Sequence, residues 1–174
     1  FNISANYTWS KSIDPVSYTT DLDTINIINP YNENAYRGVS DFNVPHRFVF
    51  NYLWQLPSPS NRWAKAIAGN WETSGIWTWQ SGFPLNITSG SDTSFSLPEN
   101  GDDQAQVSCT PRYTSGSRNQ RIASWFDTSC FSVPADNSFG NVGRNTLIGP
   151  GTFNFDLGLH NSFSITEHTK LQLR

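Results

Sequence analysis

Hydrophobic and polar residues alternate one for one along several stretches of this chain. From the first residue, Phe1, Ile3, Ala5, Tyr7 and Trp9 interleave with Asn2, Ser4, Asn6, Thr8 and Ser10. Successive side chains of a strand point to opposite faces, so this period predicts a strand with one apolar and one polar face. A second run carries Phe48, Phe50, Tyr52, Trp54 and Leu56 on one face; Arg47, Asn51 and Gln55, mixed with Val49 and Leu53, lie on the other. The third, residues 71–88, sets Trp71, Trp77, Trp79, Phe83, Leu85 and Ile87 against Glu72, Ser74, Ile76, Thr78, Gln80, Asn86 and Thr88. Pro84 interrupts it, which suits a strand end or an edge because proline donates no ladder hydrogen bond. In the fourth, Phe153, Phe155, Leu157, Leu159, Phe163 and Ile165 oppose Asn154, Asp156, Gly158, His160, Ser162 and Ser164, with Asn161 the polar exception on the apolar face. A fifth begins at Lys170, with Leu171 and Leu173 against Gln172 and Arg174. The expected fold is all-β, an antiparallel meander of about five long strands.

The connections alternate too. Between successive runs lie roughly 35, 14, 60 and 4 residues, long and short in turn, which puts the long connections at one end of an antiparallel sheet. Transmembrane barrels have this asymmetry, and the run lengths meet the roughly 9 to 11 tilted residues that cross a bilayer. Trp54 and Trp71 then flank one short connection, and Tyr7, Trp9 and Phe48 gather at the other end, where interface aromatics belong. Together with Tyr52, Trp77 and Trp79 they are the expected girdle and lipid-facing aromatics. The competing reading is a soluble β-sandwich, whose strands alternate in the same way with one face dry and one wet.

Composition narrows the choice. Only 14% of the residues are charged, while Ser, Asn, Thr and Gln make up 61 of 174 and aromatics 14%. That mixture disfavours helical bundles, coiled coils and charged disordered tails. A net charge of -3 without long runs of one sign lacks the footprint of a nucleic-acid binder, so no nucleic acid is expected as a partner. No apolar stretch is long enough for a transmembrane helix, which says nothing against strands that cross. The chain opens without Met and closes in mid-strand, and it is expected to be a piece of something longer.

The wording of the segments adds a resemblance. Tyr7-Thr8-Trp9-Ser10-Lys11-Ser12-Ile13-Asp14, Arg37-Gly38-Val39-Ser40-Asp41-Phe42, His46-Arg47-Phe48-Val49 and Asn51-Tyr52 resemble strand and loop motifs of Oar-like TonB-dependent receptors. So do Ser74-Gly75-Ile76 with Gln80-Ser81-Gly82-Phe83-Pro84, Trp125-Phe126-Asp127, Cys130-Phe131 and Gly143-Arg144-Asn145. Gly149-Pro150-Gly151, Asp156-Leu157, Ile165-Thr166-Glu167 and Leu171-Gln172-Leu173-Arg174 complete the series. Pro45 departs from the pattern, with a local effect expected. The resemblance spans nearly the whole chain in order. It implies residues 1–174 are one incomplete domain, the C-terminal part of an outer-membrane barrel lacking its plug, most strands and the terminal strand. It also implies TonB-dependent uptake or surface recognition. The implied partners are outer-membrane lipid, the protein's own plug, the TonB complex and an unidentified extracellular ligand.

Candidate chemistry is sparse. Cys109 and Cys130, the only cysteines, both fall in the longest connection. A disulfide there suits an oxidising exterior; the alternatives are two free thiols or pairing outside this chain. His46, His160 and His168 stand apart, without the spacing of metal ligands. His160 is expected in the lumen, His168 in a turn and His46 where a loop re-enters the membrane. Asp92, Glu99, Asp102 and Asp103 lack calcium-loop spacing and read as a solvated turn. Gly140 to Gly151 lacks a phosphate-loop ending and reads as a loop descending to the fourth strand. No nucleophile elbow is present, and acceptor-like Asn2, Asn6 and Asn86 lie in strands. Glu72 and Asp156 are expected to meet Arg47 or water. No catalytic role, cofactor or metal is expected. The loops at about 15–41 and 89–145 are the expected ligand surface. The alternatives are a lectin-like soluble sandwich and a non-energised adhesin or porin-like barrel.

Overall fold

The structure, a computed structural model, describes residues 1–15, 17, 29, 32–63, 65, 69–96, 102–164 and 169–174. These divide into two compact units. The first joins Phe1–Trp9, His46–Gln80 and Thr152–Arg174; the second joins Ser10–Pro45 and Ser81–Gly151.

The first unit is a five-stranded sheet. Its strands are β1 (Asn2–Trp9), β4 (His46–Gln55), β5 (Trp71–Gln80), β10 (Thr152–Ser164) and β11 (Lys170–Leu173), side by side in that order. All four pairings are antiparallel. The remaining strands are short pairs in the second unit: β2 (Ile13–Asp14) with β3 (Gly38–Val39), β6 (Pro84–Leu85) with β9 (Leu147–Ile148), and β7 (Gln106–Val107) with β8 (Phe131–Ser132).

Register turns the separate alternations into two continuous faces. On one, Tyr7, Phe48, Trp79 and Phe153 lie in a row across four strands. Below it come Ala5, Phe50, Trp77 and Phe155, and then Ile3, Tyr52, Gly75 and Leu157. The other face stacks Thr8, Arg47, Gln80 and Thr152 over Asn6, Val49, Thr78 and Asn154, then Ser4, Asn51, Ile76 and Asp156. A one-residue slip of any strand would move its aromatics to the polar face, so the pattern itself selects this register. The aromatic parity is odd in β1, β5 and β10 but even in β4, where Phe48, Phe50, Tyr52 and Trp54 share the face. Rings meet across the strands, Phe50 to Trp77 at 5.9 Å and Trp77 to Phe155 edge-on at 5.3 Å. Such cross-strand pairs each contribute roughly 0.2–1 kcal/mol.

The aromatic face carries large exposed side chains. Trp77, Trp79, Phe153, Leu157 and Leu159 are exposed, and the buried apolar side chains (Ala105, Cys130, Val142 and Leu147) all belong to the other unit. A sandwich would bury its aromatic face against a partner sheet. In this five-stranded order β1 and β11 are the two edge strands of an open sheet.

Two expectations shift in detail. The third run does not continue to residue 88: β5 ends at Gln80, and Pro84–Leu85 pairs with β9 instead. Proline supplies no N–H for the wall ladder, which favours that break. Arg47 does not meet Glu72, because the β4–β5 register places Arg47 opposite Gln80 and Glu72 opposite Gln55 at the far end. Asp156 instead accepts from Asn154 Nδ2 at 2.9 Å, and Gln55 Nε2 donates to Glu72 at 3.4 Å.

Gly75 explains a gap in the aromatic rows. It is buried, and a Cβ at this position would collide with the ring of Tyr52, its cross-strand partner, which lies over it. Gly75→Val is expected to push that ring aside at a cost of about 1–3 kcal/mol. The check is the urea midpoint of the assembled protein, which should fall for Gly75→Val and stay put for Thr78→Val on the polar face.

Candidate functional site: a buried clasp in the long connections

The long connections leave the wall at Trp9 and Gln80 and return at His46 and Thr152. Register shows that these four positions belong to one end of the sheet: Trp9 faces His46, and Gln80 faces both Arg47 and Thr152. The second unit that they form carries its own core, and much of that core is polar.

Its centre is Arg144. The residue is only 6% exposed, unusual for an arginine in a chain so poor in charge. Its guanidinium forms an ion pair with Asp14, donates to the Asp14 carbonyl at 2.9 Å and to Ser17 Oγ at 3.2 Å, and lies 5.3 Å from the Tyr36 ring centroid. Asp41 stands 3.9 Å away but is about half exposed, so its pairing counts for little. Among the described residues the Nε of Arg144 has no partner. The next residue, Asn145, sits at positive φ and donates to the Val39 carbonyl at 2.7 Å and to Asp41. Gly38 permits the approach: a Cβ there would meet the Arg144 carbonyl at 2.7 Å.

Serines and an asparagine extend the clasp. Ser40, wholly buried, donates from Oγ to Ser12 Oγ at 2.8 Å, and its backbone N–H reaches the Ser12 carbonyl at 3.1 Å. Asn43 Oδ1 accepts the Ser12 N–H at 2.8 Å. Pro45, the departure from the resembled pattern, accepts the Ser10 N–H through its carbonyl at 3.1 Å. A second node forms at Asp103, which is wholly buried rather than part of the solvated turn expected there, and accepts from the Ser94 N–H at 2.6 Å, Ser94 Oγ at 3.0 Å and Thr93 Oγ1 at 3.2 Å. Three hydroxyl and amide groups thus replace water around a carboxylate that would otherwise be costly to bury.

Burial pushes the Asp14 carboxyl upward, but hydrogen bonds from Ser40, Arg144 and Ser17 and the charge of Arg144 outweigh it and hold it below its ordinary value of 3.8. A carboxylate held down in this way stabilises the folded state fully above that ordinary value, and the contribution disappears as pH falls through the lowered one. Amide hydrogen exchange around Asp14 and Ser17 is therefore expected to quicken as pH falls below 3.8, beyond the intrinsic pH dependence of exchange. Burial raises the Tyr36 hydroxyl, against the opposing charge of Arg144.

Cys109 and Cys130 are joined by a disulfide, with Cα atoms 5.1 Å apart across 21 residues. Closing a loop of that size stabilises by about 3 kcal/mol in the chain-entropy account. Cys109→Ser with Cys130→Ser should lower the unfolding midpoint of this connection accordingly, and unchanged protease resistance would contradict it.

The other sequence-selected residues fall on the wall. Tyr7, Phe48, Tyr52, Trp54, Trp71, Trp77 and Trp79 lie on the aromatic face, as does Trp9 opposite His46. His46 opens β4, and its Nδ1 lies 2.8 Å from the Tyr7 hydroxyl with the rings stacked. His160 is on the polar face, 3.4 Å from Ser74 Oγ. His168 and Glu99 lie outside the described residues. Among the described residues no three His, Cys, Asp or Glu side chains gather as metal ligands would. The clasp residues were not singled out by sequence reasoning as a site. Ser12, Asp14, Gly38 to Asp41, Arg144 and Asn145 lie within resembled motifs, whereas Ser17, Tyr36 and Asn43 do not, and spacing offers no sign that positions 130 apart meet.

Comparison with known proteins places the chain. The sequence model of a family described as an outer membrane beta barrel domain matches residues 1–174. No curated protein and no solved structure matches it.

Proposed function

Because the chain belongs to the outer membrane β-barrel family, we propose that it supplies part of the wall and the outer loops of a TonB-dependent receptor, which takes up a ligand or recognises one at the surface. The protein resides in the bacterial outer membrane. The observation that carries the reading is the two-faced sheet whose long connections start from one end and fold around Arg144.

The aromatic face meets lipid and the polar face the lumen. Magnitudes support this: the 10 residues of β5 at about 3.4 Å each span about 34 Å, or about 26 Å when tilted by some 40°, against an apolar band of about 25 Å. Tyr7, Trp9, Phe48 and Trp79 form one girdle and Trp54 and Trp71 the other, with Tyr52 and Trp77 between them. A water-facing sheet with these rings exposed would aggregate; a lipid-facing one is satisfied. The energised part of the reading rests on the resemblance, whose words for the loops coincide with the residues of the clasp. A preorganised loop surface lowers the ordering cost of binding a ligand, and the role is one of recognition and passage, without catalysis.

The test is binding to the periplasmic C-terminal domain of TonB, with the protein reconstituted in lipid. Saturable binding and a closed barrel in planar bilayers are expected. Absence of binding together with steady ion conductance would instead identify an open, porin-like barrel.

A further inference from the structure

The segment between Cys109 and Cys130 forms a lobe of its own. Its limbs pair at Tyr113 and Phe126, where the Thr114 N–H donates to the Trp125 carbonyl at 3.0 Å and the Asp127 N–H to the Arg112 carbonyl at 2.9 Å. The tip is helix α1, Arg118–Ala123, started by a reciprocal cap between Ser117 and Gln120. Three arginines, Arg112, Arg118 and Arg121, stand against one carboxylate, Asp127, so the lobe is cationic inside a chain of net charge -3.

That carboxylate is already occupied. Ser129 donates to it from its backbone N–H at 2.9 Å and from its hydroxyl at 2.7 Å. Both ion pairs among the described residues belong to Arg144, so the three lobe guanidiniums are exposed and have none. Arg118, Arg121 and Ile122 follow the spacing of one helix face, and Ile122 is 71% exposed. Nearby, Tyr113 packs edge-on against Trp125 at 6.0 Å. Both rings hold Ile148, through the Ile148 N–H to the Tyr113 hydroxyl and Trp125 Nε1 to the Ile148 carbonyl, each at 2.8 Å. Ile148 stands four residues ahead of Thr152, the first residue of β10.

We propose that this lobe binds the phosphorylated headgroups of a glycolipid in the outer leaflet of the same membrane. Guanidiniums attract headgroup phosphates, and an exposed isoleucine beside them suits the boundary with the acyl chains. A soluble polyanion would use the charges and leave Ile122 without a role. The proposal rests on the reading above that the long connections lie on the outer side.

The test uses the protein isolated from outer membranes, with binding measured to phosphatidylcholine vesicles with and without bis-phosphorylated lipid A. Each Arg→Gln change should weaken binding to the lipid A vesicles about fivefold, and the triple variant about a hundredfold. Ile122→Ser should weaken it severalfold with every charge kept. Unaltered binding by the triple variant would overturn the proposal. So would equal competition by a soluble polyphosphate together with an inert Ile122→Ser. An epitope inserted between Ser115 and Gly116 and probed on intact cells reports separately whether the lobe is outside. Failure of that readout counts against the topology, whereas failure of the vesicle assay on a surface-exposed lobe counts against the lipid site.

Discussion

Replacing Arg144 by methionine is expected to cost the loop unit about 3 kcal/mol while leaving the wall intact. The side chain is buried, so methionine can fill much of its volume, but Asp14 and Ser17 then lose their charged partner and Tyr36 its cation. The partial exposure of Asp14 places the effect at the lower end of what breaking a buried ion pair costs. At about 1.4 kcal/mol per factor of ten, hydrogen-exchange protection in 10–45 should drop by roughly two orders of magnitude. Strands β4, β5 and β10 should keep theirs. Lysine is expected to rescue little, because one ammonium on a flexible stem cannot serve Asp14, Ser17 and the Tyr36 face together. Protection in 10–45 equal to the wild type would show that the clasp does not hold the connections.

Leu157→Arg is expected to destabilise the wall by about 2–4 kcal/mol, the cost of a guanidinium on the lipid face near mid-depth. Leu157 is 63% exposed in the row of Ile3, Tyr52 and Gly75. The partner variant is Asn51→Arg, opposite Ile76 in a row that also holds Asp156, where the change should stay within about 0.5 kcal/mol. Urea unfolding in phospholipid vesicles and the heat-modifiable gel shift read both. If Asn51→Arg proved the more damaging, the assignment of faces would be inverted.

Much of the wall was legible because a strand writes its two environments into alternate residues. The runs beginning at Phe1, Phe48, Trp71 and Phe153 became β1, β4, β5 and β10, and the long–short sequence of connections became a meander. Where the reading drifted, the reason is local. At Pro84 the period of two continues although the ladder cannot, so pairing passed to Ile148. Of the two partners expected for Glu72, Arg47 or water, register removes Arg47, because opposite charge in sequence says nothing of register.

By itself, then, the sequence determined the element type, the two faces and the lipid-compatible length, since each follows from side-chain period and rise along a single strand. Only the tertiary structure decided which rows form across strands and what the long connections do. Arg144 and Asp14 meet across 130 positions, and Cys109 and Cys130 close a cationic lobe. Such contacts depend on how two irregular segments satisfy each other's buried polar groups, a requirement with no periodicity to read.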